Sequence, residues 1–406
     1  MGLSHPEQPG RHPEQREGSA VAAVPVMRAA VLVDVGTIEI RDVPIAPPAA
    51  HEVLVRVQAV GLCGTDMHIV AGHANYNRDA LGRPLALIEH PQILGHEIAG
   101  EIAGVGSAVR GLSAGTRVVV DQGRTCVSEL RRPLCEYCVT GDSHQCEDYA
   151  EHGITGLPGG FAEYVTVPAS NVVPLESSLE PEFAALAEPL GCVLHSMDVV
   201  SRATARYTLV AAEPTRRIRT LLICGAGPAG LLFVQYLRHA AGFDGMLLVS
   251  EPSAMKRELA ARFGAEPVDP AATNLVEHVA ERTGGRRVEF LIDASGAGDV
   301  FRALPGLIRK QSTVLMYGHG HAGADMSLMN QVQFLEPTLV SPVGASGGHD
   351  ADGRPLTYVN ALRLLERGGI DVKPIVTHRY TSLSAVPGAF AGDHRRADYV
   401  KGVVMP

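Results

Sequence analysis

The stretch TLLICGAGPAG, at residues 220–230, decides the fold that we expect for this chain of 406 residues. Its first part, Thr220–Cys224, predicts a buried strand, and a helix is expected over Ala229–Ala240. The glycines between them follow the pattern G-x-G-x-x-G, which aims backbone N–H groups and the positive end of the helix dipole at a pyrophosphate. The stretch therefore predicts a strand, a phosphate-binding turn and a helix.

The same segment raises the question of a membrane helix. The uncharged run Thr220–Leu237 reaches the length of about 18 residues at which a membrane span is considered. Its glycines and Pro228 interrupt a helix in the first half, and a strand, a turn and a buried helix account for the run. We therefore expect no membrane span and no membrane partner.

An acidic residue follows the glycine turn at the distance expected for a dinucleotide site. Glu251 ends the next predicted strand, where a carboxylate accepts hydrogen bonds from both ribose hydroxyls and repels a 2′-phosphate. This favours NAD over NADP. Lys256 follows closely in the sequence, and a cation near the ribose would allow the 2′-phosphate of NADP to bind. Glycines that only form a tight packing turn are the alternative. The residues expected to bind the cofactor are Gly225, Gly227, Pro228, Ala229, Gly230, Glu251 and Lys256.

The segments after the glycine turn alternate between strand and helix. The predicted strands are Met246–Ser250, Val288–Ile292 and Thr313–Tyr317, and the predicted helices are Met255–Phe263 and Val300–Ile308. Such alternation is typical of a parallel doubly wound sheet. The sequence therefore predicts an α/β fold for this half of the chain.

From Met27 onward, short apolar runs are instead separated by Gly, Pro and Asp, which is typical of a β-rich, barrel-like domain. The predicted strands of this part are Ala29–Val33, Glu52–Val57, Gln92–Ile93, Ile98–Val105 and Arg117–Asp121. A helix near Tyr358–Arg367 and a closing strand near Val400–Val404 follow the parallel sheet, and we expect them to rejoin the first domain.

Length and charge limit the class of protein. A chain of this length exceeds the size at which one core keeps growing, so two domains are expected. The net charge of -9 argues against a nucleic-acid partner, because neutralising phosphates requires a basic surface. Residues 1–26 repeat the tetrapeptide HPEQ without an apolar period, so we expect a flexible tail, no signal peptide and a cytoplasmic protein.

Four cysteines fall in one stretch rich in charged and turn-forming residues. The spacing C-x2-C-x7-C over Cys135, Cys138 and Cys146, with Cys126 before it, suits a structural zinc ion held by thiolates. A disulfide pair or free thiols are the alternatives, and the odd total of seven cysteines disfavours disulfides. Cys192, outside this stretch, is expected to be an ordinary core residue.

A thiol, an imidazole and two carboxylates precede the glycine turn in three short motifs. These are GLCGTD at residues 61–66, GHE at residues 95–97 and AEP at residues 187–189. Catalytic zinc takes three protein ligands from Cys, His and Asp or Glu and keeps one position open. Cys63, His96, Glu97 and Glu188 are therefore candidate ligands, although each alone would more often be a surface or core residue.

Together these motifs resemble the zinc-containing medium-chain dehydrogenase/reductase family of alcohol, polyol and threonine dehydrogenases, over residues 27–406. The segments GGFAEY at 159–164, FGA at 263–265 and IDASG at 292–296 resemble further markers of the family. The resemblance implies a GroES-like catalytic domain built from both chain ends, an inserted Rossmann nucleotide domain, and a homo-oligomer, either a dimer or a tetramer. The implied ranges are 1–26 for the tail, 27–188 and 336–406 for the catalytic domain, and 189–335 for the nucleotide domain.

The resemblance also implies the catalytic metal site. Cys63 and His96 match the family's zinc ligands, and either Glu97 or Glu188 fits the place of the carboxylate ligand or water partner. Zinc lowers the pKa of a hydroxyl that it binds, so that the carbon of the alcohol can pass a hydride to the nicotinamide. The resemblance thus implies a zinc-dependent oxidoreductase.

Other residues near the metal motifs each have a family role and an ordinary alternative. Thr65 matches the family's proton-relay hydroxyl and Asp66 a carboxylate that orients a ligand, while capping of a turn or helix is the alternative for both. His68 and His195 are relay or pocket candidates, with an ordinary packing role as the alternative. The family's cysteine lobe usually has the spacing C-x2-C-x2-C-x7-C, so the longer gap here leaves Cys126 open as the fourth ligand.

The substrate is the least determined feature. Thirty-two residues separate Cys63 from His96, and polar groups in this segment suit a polyol, a sugar or a hydroxy-amino acid. These groups are His73, Asn75, Tyr76, Asn77 and Arg78. A solvent-exposed or subunit-contact loop is the alternative. Two other classes stay open: a metal-free reductase of activated double bonds or quinones in the same superfamily, and a non-catalytic nucleotide-binding protein.

Overall fold

The computed structural model describes residues 25–321 and 324–406 of the chain. Residues 1–24 of the predicted tail lie outside the described residues, and the first strand begins at Val26. Short, mostly antiparallel strands make up the first part of the described chain. They are β1 (Val26–Asp34), β2 (Thr37–Pro44), β3 (Glu52–Gly61), β4 (Gln92–Ile93), β5 (Glu97–Val105), β6 (Arg117–Val120), β7 (Gly123–Arg124), β8 (Ala150–Glu151), β9 (Tyr164–Pro168) and β10 (Val172–Pro174).

A six-stranded parallel sheet follows, in the order β13-β12-β11-β14-β15-β16. Its strands are β11 (Thr220–Cys224), β12 (Met246–Ser250), β13 (Glu266–Val268), β14 (Val288–Asp293), β15 (Ile308–Met316) and β16 (Thr338–Val340). The last strands in the chain are β17 (Val376–Tyr380) and β18 (Lys401–Val404). The parallel sheet with its connecting helices confirms the predicted α/β class.

The helices connect these strands and cover the parallel sheet. The α-helices are α1 (Gly64–Val70), α2 (Glu136–Thr140), α3 (Pro181–Ala184), α4 (Ala187–Arg202), α5 (Pro228–Gln235), α6 (Ala254–Arg262), α7 (Leu275–Arg282), α8 (Gly298–Leu307), α9 (Met329–Gln333), α10 (Leu356–Glu366) and α11 (Val386–Ala391). Single 3-10 turns span Ser143–Gln145, Ala169–Asn171, Pro214–Arg216, Met326–Leu328, Leu383–Ala385 and Asp393–Arg395, and a π-helical turn spans Tyr236–Ala240.

The glycine turn lies between β11 and α5. Every residue of β11 is buried, as expected for a central strand of a parallel sheet. Gly230 packs against the turn so closely that a Cβ atom there would lie 2.0 Å from the carbonyl oxygen of Gly225. Only glycine permits this contact, so the motif fixes the approach of α5 to β11. The run Thr220–Leu237 is thus a strand, a turn and a helix, as predicted.

One helical stretch among the described residues, Pro181–Arg202, has the length and composition of a membrane span, with a mean hydropathy of 1.3. Its apolar window is 72% buried inside the protein. Burial of that kind is typical of a core helix, so the stretch is weak evidence for a membrane. It contains α4, which the sequence analysis did not predict as a helix.

The antiparallel strands and the end of the chain share one sheet. Its order is β10-β6-β5-β3-β18-β17, with β9 also paired to β3. In this sheet β18 runs antiparallel to β3, with Val403 opposite Gly61. The predicted closing strand therefore returns to the first part of the chain. A separate three-stranded sheet, β2-β1-β4, lies beside it.

Several predicted element ends shift in the structure. The helix expected over Val300–Ile308 ends at Leu307, since Ile308 already begins β15. The predicted boundary between residues 188 and 189 falls inside α4, and the boundary at residue 335 falls before β16. The division into domains at those residues stays a prediction.

Candidate active site

Three of the predicted metal ligands meet where β3 and β5 begin or end. Cys63 follows β3 and caps the N-terminus of α1, while His96 and Glu97 stand at the start of β5. Because β3 and β5 pair antiparallel, with Gly61 opposite Glu97, the two motifs are brought together. One ligand atom from each of Cys63, His96 and Glu97 lies within 4.8 Å of the others. We call these three residues the Cys63 cluster.

Asp66 holds two parts of this cluster in place. Its Oδ2 accepts a hydrogen bond from the backbone N–H of Cys63 at 2.9 Å, as in a helix-capping box. Its Oδ1 accepts the N–H of Gly95 at 3.3 Å and lies 3.5 Å from Nδ1 of His96. The carboxylate therefore caps α1 and also faces the imidazole, which leaves Nε2 of His96 as the ring nitrogen for a metal.

The charges around His96 favour a bound cation. Burial lowers the pKa of His96, but the negative charges of Asp66 and Cys63 outweigh burial and raise the pKa well above its usual range. A metal ligand must be neutral imidazole, so a metal ion would replace this proton. The site thus offers a place where positive charge is stabilised.

A buried lysine, Lys401, pairs with Glu97 and was not predicted from the sequence. Its Nζ donates to Oε1 of Glu97 and, at 2.9 Å, to the carbonyl oxygen of Leu62. Burial lowers the pKa of Lys401, but the charges of Glu97 and Cys63 outweigh it and raise the pKa. The available signal was a lone lysine in the apolar closing strand. At Gly61, a Cβ atom would lie 1.9 Å from Oε2 of Glu97, so glycine makes room for this carboxylate.

The donors present fit a zinc ion. Oε2 of Glu97 is buried and has no hydrogen-bond partner among the described residues. An orphaned buried carboxylate oxygen is costly unless a cation or a donor meets it. Together with the thiol of Cys63 and the imidazole of His96, it forms the mixed S, N and O donor set that zinc takes at catalytic sites.

Glu188 lies beside the Cys63 cluster, in the first turn of α4. Its Oε1 accepts hydrogen bonds from Nε2 of Gln122 at 3.2 Å and from the thiol of Cys192 at 3.2 Å. Burial raises the pKa of Glu188 to about 7, with Glu97 also raising it and His96 lowering it. Cys192 is buried, as predicted, and in addition contacts this carboxylate.

The relay candidates differ in where they lie. Oγ1 of Thr65 is 3.8 Å from the thiol of Cys63, within the site. The ring centroid of His68 lies 6.0 Å from that of His73. His195 lines a separate cleft of about 790 Å³, and burial lowers its pKa to about 4. The structure therefore joins Thr65, but not His195, to the Cys63 cluster.

The polar loop between the two metal motifs uses several of its side chains internally. Asn75 donates to the carbonyl oxygen of Leu85 at 2.7 Å, and Arg78 donates to that of Gly82 at 2.8 Å. These contacts favour a loop that stabilises its own conformation. They weaken the predicted role of Asn75 and Arg78 in binding a substrate.

All four cysteines of residues 126–146, which we call the cysteine lobe, come together. Their sulfur atoms lie within 4.8 Å of one another, with Cys126 and Cys146 separated by 3.5 Å. The longer gap after Cys126 therefore does not keep it from the group. Four thiols in this arrangement fit a closed, tetrahedral zinc site.

At the predicted nucleotide site, the carboxylate of Glu251 is tied to the glycine turn. Its Oε2 accepts the N–H of Ala226 at 2.7 Å, and its Oε1 accepts the N–H of Ser253 at 2.9 Å. Lys256 lies partly exposed on α6. The next residue, Arg257, is a second cation near this strand end, but its guanidinium pairs with Asp269 at 2.8 Å.

Two family models match the chain. Residues 49–177 match the alcohol dehydrogenase GroES-like domain, and residues 228–367 match the zinc-binding dehydrogenase domain.

Individual proteins resemble the chain over most of its length. The L-threonine 3-dehydrogenase of Pyrococcus abyssi is 32% identical over 353 residues, which cover 87% of this chain and 90% of the relative. The L-galactonate-5-dehydrogenase of Escherichia coli is 28% identical over 366 residues, or 90% of this chain and 94% of the relative. A zinc-binding dehydrogenase of Sinorhizobium meliloti, solved with NADP, superposes with a TM-score of 0.76 at 28% identity, covering 94% of this chain and all of that one.

Proposed function

The chain belongs to the zinc-containing medium-chain dehydrogenase/reductase family, and we propose that it transfers a hydride between a polar secondary alcohol and NAD. The observation that carries this proposal is the Cys63 cluster, with its S, N and O donors within 4.8 Å. The helix beside it, α4, packs against β5, which belongs to the antiparallel sheet, and also against β15 of the parallel sheet. This packing supports the proposal, since it joins the helix of Glu188 to the sheet that carries the glycine turn.

The chain's own residues support each part of the reaction. Cys63, His96 and a carboxylate would hold a zinc ion, which when bound supplies Lewis-acid polarisation of the substrate oxygen. Asp66 orients His96, and Nζ of Lys401 donates a hydrogen bond to Glu97. The hydroxyl of Thr65, whose Oγ1 lies 3.8 Å from the thiol of Cys63, would accept and pass on the proton of the alcohol.

We propose a polyol or hydroxy acid, including hydroxy-amino acids, as the substrate class. The relatives named L-threonine 3-dehydrogenase and L-galactonate-5-dehydrogenase support this, since each name refers to a hydroxylated acid that carries further polar groups. A pocket that hydrogen-bonds such groups discriminates strongly against plain alcohols.

We propose NAD as the preferred cofactor because the carboxylate of Glu251 opposes a 2′-phosphate. The NADP in the Sinorhizobium meliloti protein belongs to that protein, and Lys256 is the residue here that would favour the same cofactor. The cysteine lobe, with Cys126, Cys135, Cys138 and Cys146, is proposed to hold a structural zinc ion.

A homo-oligomer formed at the edge of the parallel sheet is also proposed. The edge strand β16 is only three residues long, and large apolar side chains around it are exposed: Phe334 by 85%, Leu339 by 46% and Val343 by 50%. Exposed apolar groups at an unpaired edge are typical of an interface between subunits. The cytoplasmic location stays a prediction.

The test combines metal analysis with a screen of alcohols. We expect about two zinc ions per chain and NADH formation, read as absorbance, with L-threonine or a polyol but little with ethanol. Removal of the metal should abolish turnover. A metal-free enzyme that reduces quinones or activated double bonds would contradict the proposal, as would a protein that binds nucleotide but oxidises no alcohol.

A further inference from the structure

Two buried side chains, Gln122 and Tyr358, form a hydrogen-bonded chain behind Glu188. Nε2 of Gln122 donates to Oε1 of Glu188 at 3.2 Å, and the hydroxyl of Tyr358 donates to Oε1 of Gln122. Gln122 is 1% exposed, Tyr358 is fully buried and Glu188 is 5% exposed. At such burial no solvent molecule competes freely for these groups, so their mutual orientation matters.

The chemistry of the three groups fixes the direction of each hydrogen bond. Oε1 of Glu188 accepts hydrogen bonds from both of its neighbours, so the amide of Gln122 turns its donor, Nε2, toward Glu188. Its Oε1 then faces Tyr358 and requires a donor. Burial raises the pKa of Tyr358 well above its usual range, which keeps the hydroxyl protonated and able to donate. Tyr358 thereby selects one of the two orientations of the amide.

The three residues are anchored on separate parts of the chain. Gln122 follows β6, and its carbonyl oxygen accepts the N–H of His152 at 2.9 Å. Tyr358 lies on α10, which packs along α4, the helix of Glu188. Both hydrogen bonds to Glu188, from Gln122 and from Cys192, use Oε1. The other oxygen, Oε2, is not engaged by either donor.

We propose that Gln122 is a positioning residue for Glu188, with Tyr358 fixing its amide, so that Oε1 is held and Oε2 is left for the metal. This inference rests on the proposed function, and it takes Glu188, beside the Cys63 cluster, as a carboxylate that serves the catalytic zinc site. It gives Gln122 a role through Glu188, distinct from contact with the substrate. Mutation of a residue that orients a metal ligand typically lowers metal affinity or activity by about 10- to 100-fold.

The experiment compares Gln122→Met, which keeps the length of the side chain without its donor, with Tyr358→Phe, which removes only the hydroxyl. Tyr380→Phe is the matched control. It also removes a tyrosine hydroxyl, but that hydroxyl donates to Oδ2 of Asp393, at 3.0 Å, and makes no hydrogen bond to Gln122 or Glu188. The readouts are the Kd for cobalt(II) at the catalytic site, its visible spectrum, kcat and KM measured separately, and Tm.

We expect the cobalt Kd to rise about ten-fold or more in both variants, with an altered spectrum and a lower kcat. The control should match the wild type, and KM for NAD should not change. Because both residues act through one amide, the double variant should be no worse than Gln122→Met alone. If Gln122→Met fails to fold, Tyr358→Phe, which keeps the aromatic ring, decides the question.

Two results would overturn the inference. The first is a lower Tm with an unchanged cobalt Kd, spectrum and kcat, which would make the hydrogen-bonded chain purely structural. The second is an active wild-type enzyme whose Glu188→Ala variant keeps wild-type cobalt affinity, which removes Glu188 from the metal site but leaves the proposed function intact. A wild-type protein that binds no second metal and oxidises no alcohol instead refutes the proposed function itself.

Discussion

The cysteine lobe takes its four sulfur donors from residues 126–146, whereas the Cys63 cluster and its ion-pair partner span residues 63 to 401. The donors of the lobe are all alike, and few apolar side chains surround them. The Cys63 cluster mixes sulfur, nitrogen and oxygen and is surrounded by buried charged and polar groups. In the proposed assignment, the structural site needs only its ligands, while the catalytic site also needs residues that orient ligands and balance charge.

The largest expected effect comes from removing a metal ligand of the Cys63 cluster. Cys63→Ala should lower kcat/KM by at least about 10³-fold, since a metal supplies several kcal/mol of transition-state stabilisation and each ~1.4 kcal/mol is a factor of ten. Nucleotide binding, measured by NADH fluorescence titration, should persist because the parallel sheet has its own core. Cys224→Ala, at a buried thiol that belongs to neither cluster, is the control. Wild-type turnover in Cys63→Ala would refute the metal assignment.

The second prediction concerns the loss of a thiol from the cysteine lobe. Cys138→Ala should reduce zinc from about two ions to about one per chain and lower Tm markedly. Metal binding stabilises the fold of such lobes, which have only a small hydrophobic core. Atomic absorption and calorimetry measure the two effects, with Cys224→Ala again as control. Cys126→Ala should behave in the same way if Cys126 completes the site. An unchanged zinc count in Cys138→Ala would leave the lobe without its proposed metal.

A third prediction concerns Lys401, the buried ammonium that pairs with Glu97. Lys401→Met leaves Glu97 buried without its partner, and breaking a buried pair in this way typically costs about 3–5 kcal/mol. Zinc facing Glu97 would offset part of this loss, so Tm should fall more in the metal-free protein than in the zinc-loaded one. Lys373→Met, at an exposed position, is the control. Equal losses with and without zinc would place Glu97 outside the metal site.

The smallest expected effect lies outside both clusters. The wild type should prefer NAD over NADP by about ten-fold, which corresponds to ~1.4 kcal/mol. Glu251→Ser should shrink that ratio by relieving repulsion of the 2′-phosphate, while zinc content stays unchanged. The measurement is kcat/KM for both cofactors with one alcohol, and Glu258→Ser, an exposed glutamate on α6, controls for net charge. A wild type that prefers NADP would show that Lys256 or Arg257 determines the choice.

The difference between the two clusters also explains what the sequence could predict. Short-range patterns predicted the strand and helix around Gly225, the α/β class and the grouping of Cys135, Cys138 and Cys146, because each depends on spacings of a few residues. The strand ends of β11 and β12 were predicted to the residue for the same reason. Local spacing carries this information directly.

Groups that meet through tertiary packing were not predictable in this way. Lys401 pairs with Glu97 only because β18 lies beside β3, and no local pattern states that pairing. Gln122 and Tyr358 are 236 residues apart, and each alone reads as an ordinary polar or aromatic residue. Helix α4 was not predicted because its first turns contain Pro189 and Gly191, which are poor helix formers in a sequence pattern.

The position of β18 has a consequence for how the protein is made. Its Lys401 bonds the carbonyl of Leu62, 339 residues earlier in the chain. At a synthesis rate of about 5–20 residues per second, roughly 17 to 70 seconds separate the appearance of these two partners on the ribosome. During that time the end of β3 lacks its neighbour and the carboxylate of Glu97 lacks its ammonium partner. The last strand of the parallel sheet ends at Val340, 61 residues before Lys401, so that sheet is synthesised in full roughly 3 to 12 seconds before the active site can be completed.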